Sequence, residues 1–371
     1  MKHVSVLIKP ASSLCNIRCK YCFYTDVSSL REVKSYGKMS LETAKKMIAN
    51  IFIDLEEGDH LTLNFQGGEP TLAGLSYFEF IVRAVNEQMK KVKVCYAIQT
   101  NGLLIDRTWC DFLKKNQFLV GLSLDGTKEL HDKNRVDPKE KGTFSKVVEV
   151  KNLFEEYQID YNILCVLTSE LASQPEQIYS FIQQENIGFI QFIPCLPDLS
   201  LKSPTKYALS PEGFKNFYLS ILEQWFIELR EGTYRSIKLF DDLIHLLVDG
   251  EITACGILGE CQMQYVIEAD GSVYPCDFYV LDTYRLGFIQ ELSIRQLFNR
   301  GITSPFICER KKRPSFCSKC PFEQMCLGGC KRMKDCMYVN EEENMCGYQS
   351  LLEVFIPQID EILKCLTQVK V

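Results

Sequence analysis

Between residues 4 and 193 the chain alternates six times between an apolar run of strand length and a helical pattern. The runs 4–9, 61–65, 94–99, 118–124, 161–167 and 189–193 are expected as strands. After the first, Ser40 is placed to cap a helix to about Leu55, with Ala44, Met47, Ile48, Ile51 and Phe52 on one face. Further helices are expected from about Leu75 and over 109–115, 144–157 and 175–184. Strands separated by helices favour a parallel sheet with right-handed crossovers. The fold class is therefore α/β, and six units make a partial (β/α)6 barrel, short of a closed eight-stranded one. In such folds chemistry collects in the loops after the carboxyl ends of strands.

Four unusual segments follow expected strands: Cys15 to Cys22, Gly67-Gly68-Glu69, Thr100-Asn101-Gly102, and Ser123 with Asp125-Gly126. Glycine and Asn-Gly are ordinary turn formers, so any one of these alone could be turn chemistry. The first is different. Cys15, Cys19 and Cys22 can bring three thiolates to one metal centre from a single short loop. Iron–sulfur clusters are normally held by four Cys thiolates, so three would leave one iron open to a ligand that is not protein. Zinc is the competing reading, but structural zinc uses four ligands, usually as two pairs.

Composition narrows the class. The chain has 371 residues, 46% hydrophobic and 24% charged, which suits a globular protein larger than one typical domain. A net charge of -6 argues against nucleic acid as partner, and no stretch approaches the length of a membrane span. The start, MKHVSVLIKP, lacks the h-region and cleavage site of a secretory signal. With 18 cysteines the expectation is then a cytoplasmic, metal-binding protein rather than a disulfide-bonded one. Residues 1–209 are expected as the partial barrel, 210–254 as a helical bridge over 214–229 and 237–248, 255–346 as a Cys-rich domain, and 347–371 as a C-terminal helix. His245 and the Trp225-Phe226 pair are expected to be structural.

The C-x3-C-x2-C loop, followed by Phe23 and Tyr24, resembles the cluster loop of the radical S-adenosylmethionine superfamily. The resemblance implies that the methionine part of the cofactor occupies the open iron and that one electron releases a 5′-deoxyadenosyl radical. It also implies cofactor contacts from Tyr21, Gly67, Ser123, Arg135 and Leu196. Gly67 belongs to a GGE element whose bare backbone can meet the methionine amino group, and Ser123 and Arg135 offer polar contacts to ribose and carboxylate. An Arg–carboxylate pair is physically well suited to that task.

Eleven cysteines lie from residue 255 onward. Cys317-x2-Cys320-x5-Cys326-x3-Cys330 is a strong metal signal, with zinc as the rival, and Cys320-Pro321 matches the Cys-Pro step of bacterial ferredoxins, which favours iron. Spacing alone would group these four. The region is similar to the twin-cluster SPASM domain, a C-terminal auxiliary iron–sulfur unit that interleaves its ligands. That resemblance implies one [4Fe-4S] cluster on Cys255, Cys261, Cys276 and Cys330 and another on Cys317, Cys320, Cys326 and Cys346, or three [4Fe-4S] clusters in all. Cys336 could replace Cys346. Cys365 is expected in a helix over 351–366, and Cys95, Cys110, Cys165 and Cys195 as small buried side chains.

Asp277 follows Cys276, after an expected hairpin turning at Asp270-Gly271. Negative charge on nearby thiolates should raise its pKa and make it a better base near neutrality. From KPASSLC at Lys9 through QGGEPTLAG, LSLDG, NILCV and SVYPCDFYVLD, the chain resembles the anaerobic sulfatase-maturating enzymes over nearly its whole length. That family implies oxidation of a Cys, or Ser, in an unfolded sulfatase polypeptide of C/S-x-P/A-x-R type to Cα-formylglycine. In that scheme the radical removes a Cβ hydrogen, Asp277 takes the thiol or hydroxyl proton, and the auxiliary clusters accept one electron. A flavodoxin- or ferredoxin-type donor would supply the first electron. The alternatives are another SPASM peptide maturase, for example one forming thioether crosslinks, and a non-catalytic iron–sulfur electron carrier.

Overall fold

The computed structural model describes residues 2–200, 205–251, 254–257, 259–309 and 313–368. Its principal strands are β1 (His3–Ile8), β2 (His60–Phe65), β3 (Lys93–Thr100), β4 (Phe118–Ser123), β5 (Tyr161–Leu167), β6 (Phe189–Pro194), β7 (Ser236–Ile237), β8 (Tyr265–Ile267), β9 (Ser272–Tyr274) and β10 (Gly287–Phe288). All six expected strands are present, within a residue or so of their expected ends. The chain packs as two compact units that do not follow chain order. The first comprises Met1–Ser123, Asp132–Tyr161 and Gln262–Glu309; the second comprises Leu124–His131, Asn162–Cys261 and Arg310–Val371.

In the first unit the strand order is β10-β9-β8-β1-β2-β3-β4. The run from β8 through β4 is parallel, with Val6 of β1 between Leu63 and Tyr265. The hairpin β8–β9 turns at Asp270-Gly271 as expected, and Gly271 takes φ 87°, a conformation glycine adopts freely. Period-2 alternation buries Leu61, Leu63 and Phe65 of β2. Phe65 meets Phe78 of the helix Leu75–Asn86 edge-on at 5.0 Å, and Phe78 meets Trp109 at 5.3 Å. The helix Leu41–Ile53 buries the five expected apolar residues, and the Ser40 hydroxyl accepts the Thr43 N–H at 3.0 Å.

The second unit contains the parallel strands β5, β6 and β7 and the helices Pro175–Gln184, Pro211–Arg230 and Lys238–Val248. Its aromatic core includes Phe192, Phe217, Tyr218, Trp225 and Phe240. Trp225 and Phe226 are buried as expected, with the Trp225 indole N–H donated to the Arg235 carbonyl at 2.8 Å. His245 stands 3.2 Å from Asp249 on an exposed face.

Two expectations need correction. The helix over 351–366 is two helices, Gly347–Phe355 and Ile359–Gln368, joined by a turn at Ile356–Gln358, where Pro357 lacks the N–H that a continuous helix would use. Cys110, Cys165 and Cys195 are buried, but Cys95 is exposed because it falls on the outward face of β3. The chain also forms two elements without an apolar period, the short helix Phe23–Ser29 and a two-residue ribbon pairing Arg18–Cys19 with Arg135–Val136. No helix among the described residues is long and apolar enough to cross a membrane.

Removing the Ser40 cap should cost about 1 kcal/mol. Amide exchange in the first turns of Leu41–Ile53 is expected to quicken roughly five-fold in Ser40→Ala, with the other helices unchanged.

Candidate active site

The loops after β1, β2 and β3 are laced together by backbone. The Gly68 N–H donates to the Ser12 carbonyl and the Glu69 N–H to the Leu14 carbonyl, both at 2.8 Å. The approach leaves no room for side chains. A Cβ on Gly68 would lie 2.1 Å from the Leu14 oxygen, and one on Gly67, at φ 125°, 2.9 Å from that of Ser12. The two glycines therefore fix the course of the segment that delivers Cys15.

Glu69 completes the lacing. Its buried carboxylate accepts from the Thr71 N–H and hydroxyl at 3.0 and 2.6 Å, the Thr100 hydroxyl at 2.8 Å and the Asn101 N–H at 2.8 Å. Burial pushes its pKa up, while the donors pull the other way. Asn101 is thereby held with its side-chain amide on Asn16 Oδ1 at 2.7 Å and 3.8 Å from Cys15 Sγ. On the other side of the cysteine loop, the ribbon pairs Cys19 with Arg135, whose guanidinium lies 3.7 Å from Cys19 Sγ and 5.8 Å from the Tyr21 ring centroid. The Cys22 N–H donates to the Cys19 carbonyl at 3.2 Å. Three thiols on one short loop, with an amide and a guanidinium aimed at two of their sulfurs, fit an anionic iron–sulfur cluster.

Asp277 opens the turn Asp277–Tyr279. Its Oδ1 is 2.5 Å from Lys9 Nζ and its Oδ2 accepts from Gln66 at 2.6 Å. Lys9 and Gln66 follow β1 and β2 directly, at the carboxyl ends of neighbouring parallel strands. Lys9 is only 1% exposed, and its ammonium lies 3.7 Å from the centroid of the Tyr24 ring. The Tyr24 hydroxyl in turn donates to the Glu268 carboxylate, which is paired with Arg31 at 2.6 Å. Burial pushes the Tyr24 phenol well up, so it stays a donor. The negative surroundings expected for Asp277 are thus answered by a buried cation. Lys9 and Gln66 open the KPASSLC and QGGEPTLAG segments but carry no chemical signal of their own in the sequence. The available clue was a charged or amide side chain closing an apolar strand in a parallel sheet.

In the second unit a cavity is walled by Cys317, Cys320, Cys326 and Cys346, with Tyr338, Tyr348, Val339 and Leu352 among its apolar and aromatic lining. Four thiols facing one cavity fit a fully ligated cluster. Burial pushes Cys346 up to about 11 and raises Cys326, so metal would have to displace their protons. Neither Cys330 nor Cys336 is in this wall. The Cys336 thiol is buried and donates to the Met333 carbonyl at 3.4 Å. Cys330 instead donates its N–H to Gly256 at 3.2 Å, beside Cys255, and Gly259 packs so tightly on Cys326 that a Cβ would sit 2.0 Å from its carbonyl oxygen. Gly256 and Gly259 are therefore packed on the stretch that carries Cys326 and Cys330. Cys276 lies in the first unit and Cys255, Cys261 and Cys330 in the second. Ser123 ends β4, and Leu196, in the second unit, is buried just beyond β6.

A parallel α/β sheet with a three-cysteine loop after its first strand, and a Cys-rich region beyond, defines a radical S-adenosylmethionine protein with an auxiliary iron–sulfur domain. The Radical SAM superfamily model matches residues 10–182, and the SPASM iron–sulfur cluster-binding domain matches residues 255–321. The cysteine-type anaerobic sulfatase-maturating enzymes of Clostridium novyi (strain NT) and Clostridium perfringens (strain 13 / Type A) are 39% and 41% identical to the chain. The first comparison covers 99% of both chains and the second 100% of both. The solved structure of native anSMEcpe with bound AdoMet and Cp18Cys peptide has a TM-score of 0.88 at 38% identity, covering 98% of this chain and 99% of that one. The chain belongs to the family of anaerobic sulfatase-maturating enzymes. It is an enzyme, and its cofactors are S-adenosylmethionine and iron–sulfur clusters.

Overpacking Gly68 should cost about 1–3 kcal/mol and push the cysteine loop aside. Gly68→Ala is expected to lower both thermal stability and the iron content measured after anaerobic reconstitution.

Proposed function

We propose that the enzyme oxidises a cysteine, within a C-x-P-x-R segment of an unfolded sulfatase polypeptide, to Cα-formylglycine. The observation that carries this reading is the anchoring of Asp277 between Lys9 and Gln66 at the carboxyl ends of β1 and β2, in the unit that holds the three-cysteine loop. When bound, the cofactors supply a 5′-deoxyadenosyl radical that removes a Cβ hydrogen and an acceptor for the one electron left over. Asp277 takes the substrate thiol proton, and the resulting thioaldehyde is hydrolysed by water to the aldehyde with release of hydrogen sulfide. Lys9 holds its carboxylate in place, and Gln66 fixes the second oxygen so that the carboxylate cannot rotate away.

Cys15, Cys19 and Cys22 would hold the first cluster, and Tyr21, Gly67, Ser123, Arg135 and Leu196 would line the cofactor. Cys255, Cys261, Cys276 and Cys330 would hold a second cluster and Cys317, Cys320, Cys326 and Cys346 a third. The shared cavity of the last four supports Cys346 over Cys336. In this scheme residues 1–209 serve radical formation and 255–346 electron export, joined by 210–254 and followed by 347–371. A flavodoxin- or ferredoxin-type protein would donate the first electron, in the cytoplasm, where so many free thiols can persist.

Anaerobic incubation with S-adenosylmethionine, a reductant and a short C-x-P-x-R peptide should give 5′-deoxyadenosine and an aldehyde-bearing peptide by mass spectrometry. A thioether crosslink instead would favour another peptide maturase, and an untouched peptide beside 5′-deoxyadenosine would overturn the sulfatase reading. In Asp277→Asn cofactor cleavage should persist while aldehyde yield collapses; full yield would remove Asp277 as base. Iron analysis should find about twelve atoms per chain, falling to about eight when Cys15, Cys19 and Cys22 are replaced by Ala.

A further inference from the structure

The cavity walled by Cys317, Cys320, Cys326 and Cys346 contains two tyrosines whose hydroxyls differ in one respect. Tyr338 and Tyr348 are both buried, with their rings 5.3 Å apart. The Tyr338 hydroxyl donates to the Gly256 carbonyl at 2.7 Å. The Tyr348 hydroxyl, in a side chain only 1% exposed, has no hydrogen-bond partner among the described residues. A buried hydroxyl left without a partner is costly, and phenylalanine would pack the same wall without that cost. Tyr348 comes two residues after Cys346, in the first turn of Gly347–Phe355, so its position is set by the same helix start that sets Cys346. What it lacks is an acceptor, and cluster sulfides and thiolates are acceptors.

We propose that the Tyr348 hydroxyl donates a hydrogen bond to a sulfur of the iron–sulfur cluster held by Cys317, Cys320, Cys326 and Cys346, and so raises that cluster's reduction potential. The inference rests on the ligand reading given above. Hydrogen bonds to cluster sulfurs favour the more negative, reduced state and are among the levers that set cluster potentials. A phenol hydroxyl is a hydrogen-bond donor. The step affected is a one-electron transfer in which the substrate radical is oxidised and the cluster reduced, the thiol proton having gone to Asp277. Tyr348 is a tuning residue and touches no substrate.

The test uses the full-length protein with Cys15, Cys19 and Cys22 replaced by Ala, reconstituted anaerobically. Its signals from the cavity cluster are assigned by their loss in Cys317→Ala. In a redox titration followed by electron paramagnetic resonance, Tyr348→Phe is expected to move the midpoint of that signal to a more negative potential, while Tyr338→Phe leaves it in place. In electron–nuclear double resonance the same Tyr348→Phe change should remove one coupling that exchanges in deuterium oxide. A Tyr348→Phe protein that keeps its cluster with the midpoint unmoved and the coupling intact overturns the proposal, as does an equal shift in both variants. If Cys317→Ala alters neither iron content nor any signal, the cavity holds no cluster, and it is the ligand reading beneath that falls.

Discussion

The buried Glu69 carboxylate is the point on which the catalytic loops depend. A carboxylate without water must find donors, and Glu69 finds four, on Thr71, Thr100 and Asn101, from the loops after β2 and β3. Backbone bonds from Gly68 and Glu69 to Ser12 and Leu14 then carry that fixed geometry to the loop after β1. Three loops that would each wander alone are made one rigid surface. A site that generates a free radical requires such rigidity, because misplacing the reacting atom opens side reactions.

A second buried chain of charge runs from Arg31 through Glu268 and Tyr24 to Lys9 and Asp277. Its logic is alternation, in which each buried charge meets an opposite charge or a ring face. Taking one partner from a buried pair is far more costly than the pair is worth as a whole, since the remaining charge is left without water. The consequence is positional, in that Glu268 directly follows β8, the helix Phe23–Ser29 presents Tyr24, and Lys9 directly follows β1, so Asp277 is placed by three elements of one unit. Its position does not depend on the flexibility of the turn that carries it.

Much of this was legible in advance. The six strands and their helices follow from periodicity, and Ser40 capped its helix because a hydroxyl before an amphipathic run has few other uses. The cysteine loop and Asp277 were found by chemistry and by family resemblance. Lys9, Gln66, Glu69, Tyr24 and Glu268 were not singled out individually, because their roles arise only when parallel strands bring residues from distant stretches side by side. Glu268 and Arg31, 237 residues apart, carry no local sign of each other. The break at Pro357 is itself legible in the sequence, since a proline in a helix interior is a breaker.

The cysteine field shows how the backbone can part thiols that lie close in sequence. Cys317, Cys320, Cys326 and Cys330 sit close in sequence, and a zinc-like grouping would use all four. Yet Cys326 ends the short helix Glu323–Cys326, and the chain then passes Leu327 in the left-handed conformation and two glycines at positive φ before Cys330. That reversal takes Cys330 out of the cavity wall and toward Gly256 and Cys255. Cys346 returns on the ribbon Val339–Asn340 with Met345–Cys346 and enters the wall in its place. Leu327, Gly328 and Gly329, residues with no metal chemistry, thus supply the backbone reversal that separates Cys330 from the wall lined by Cys317, Cys320, Cys326 and Cys346.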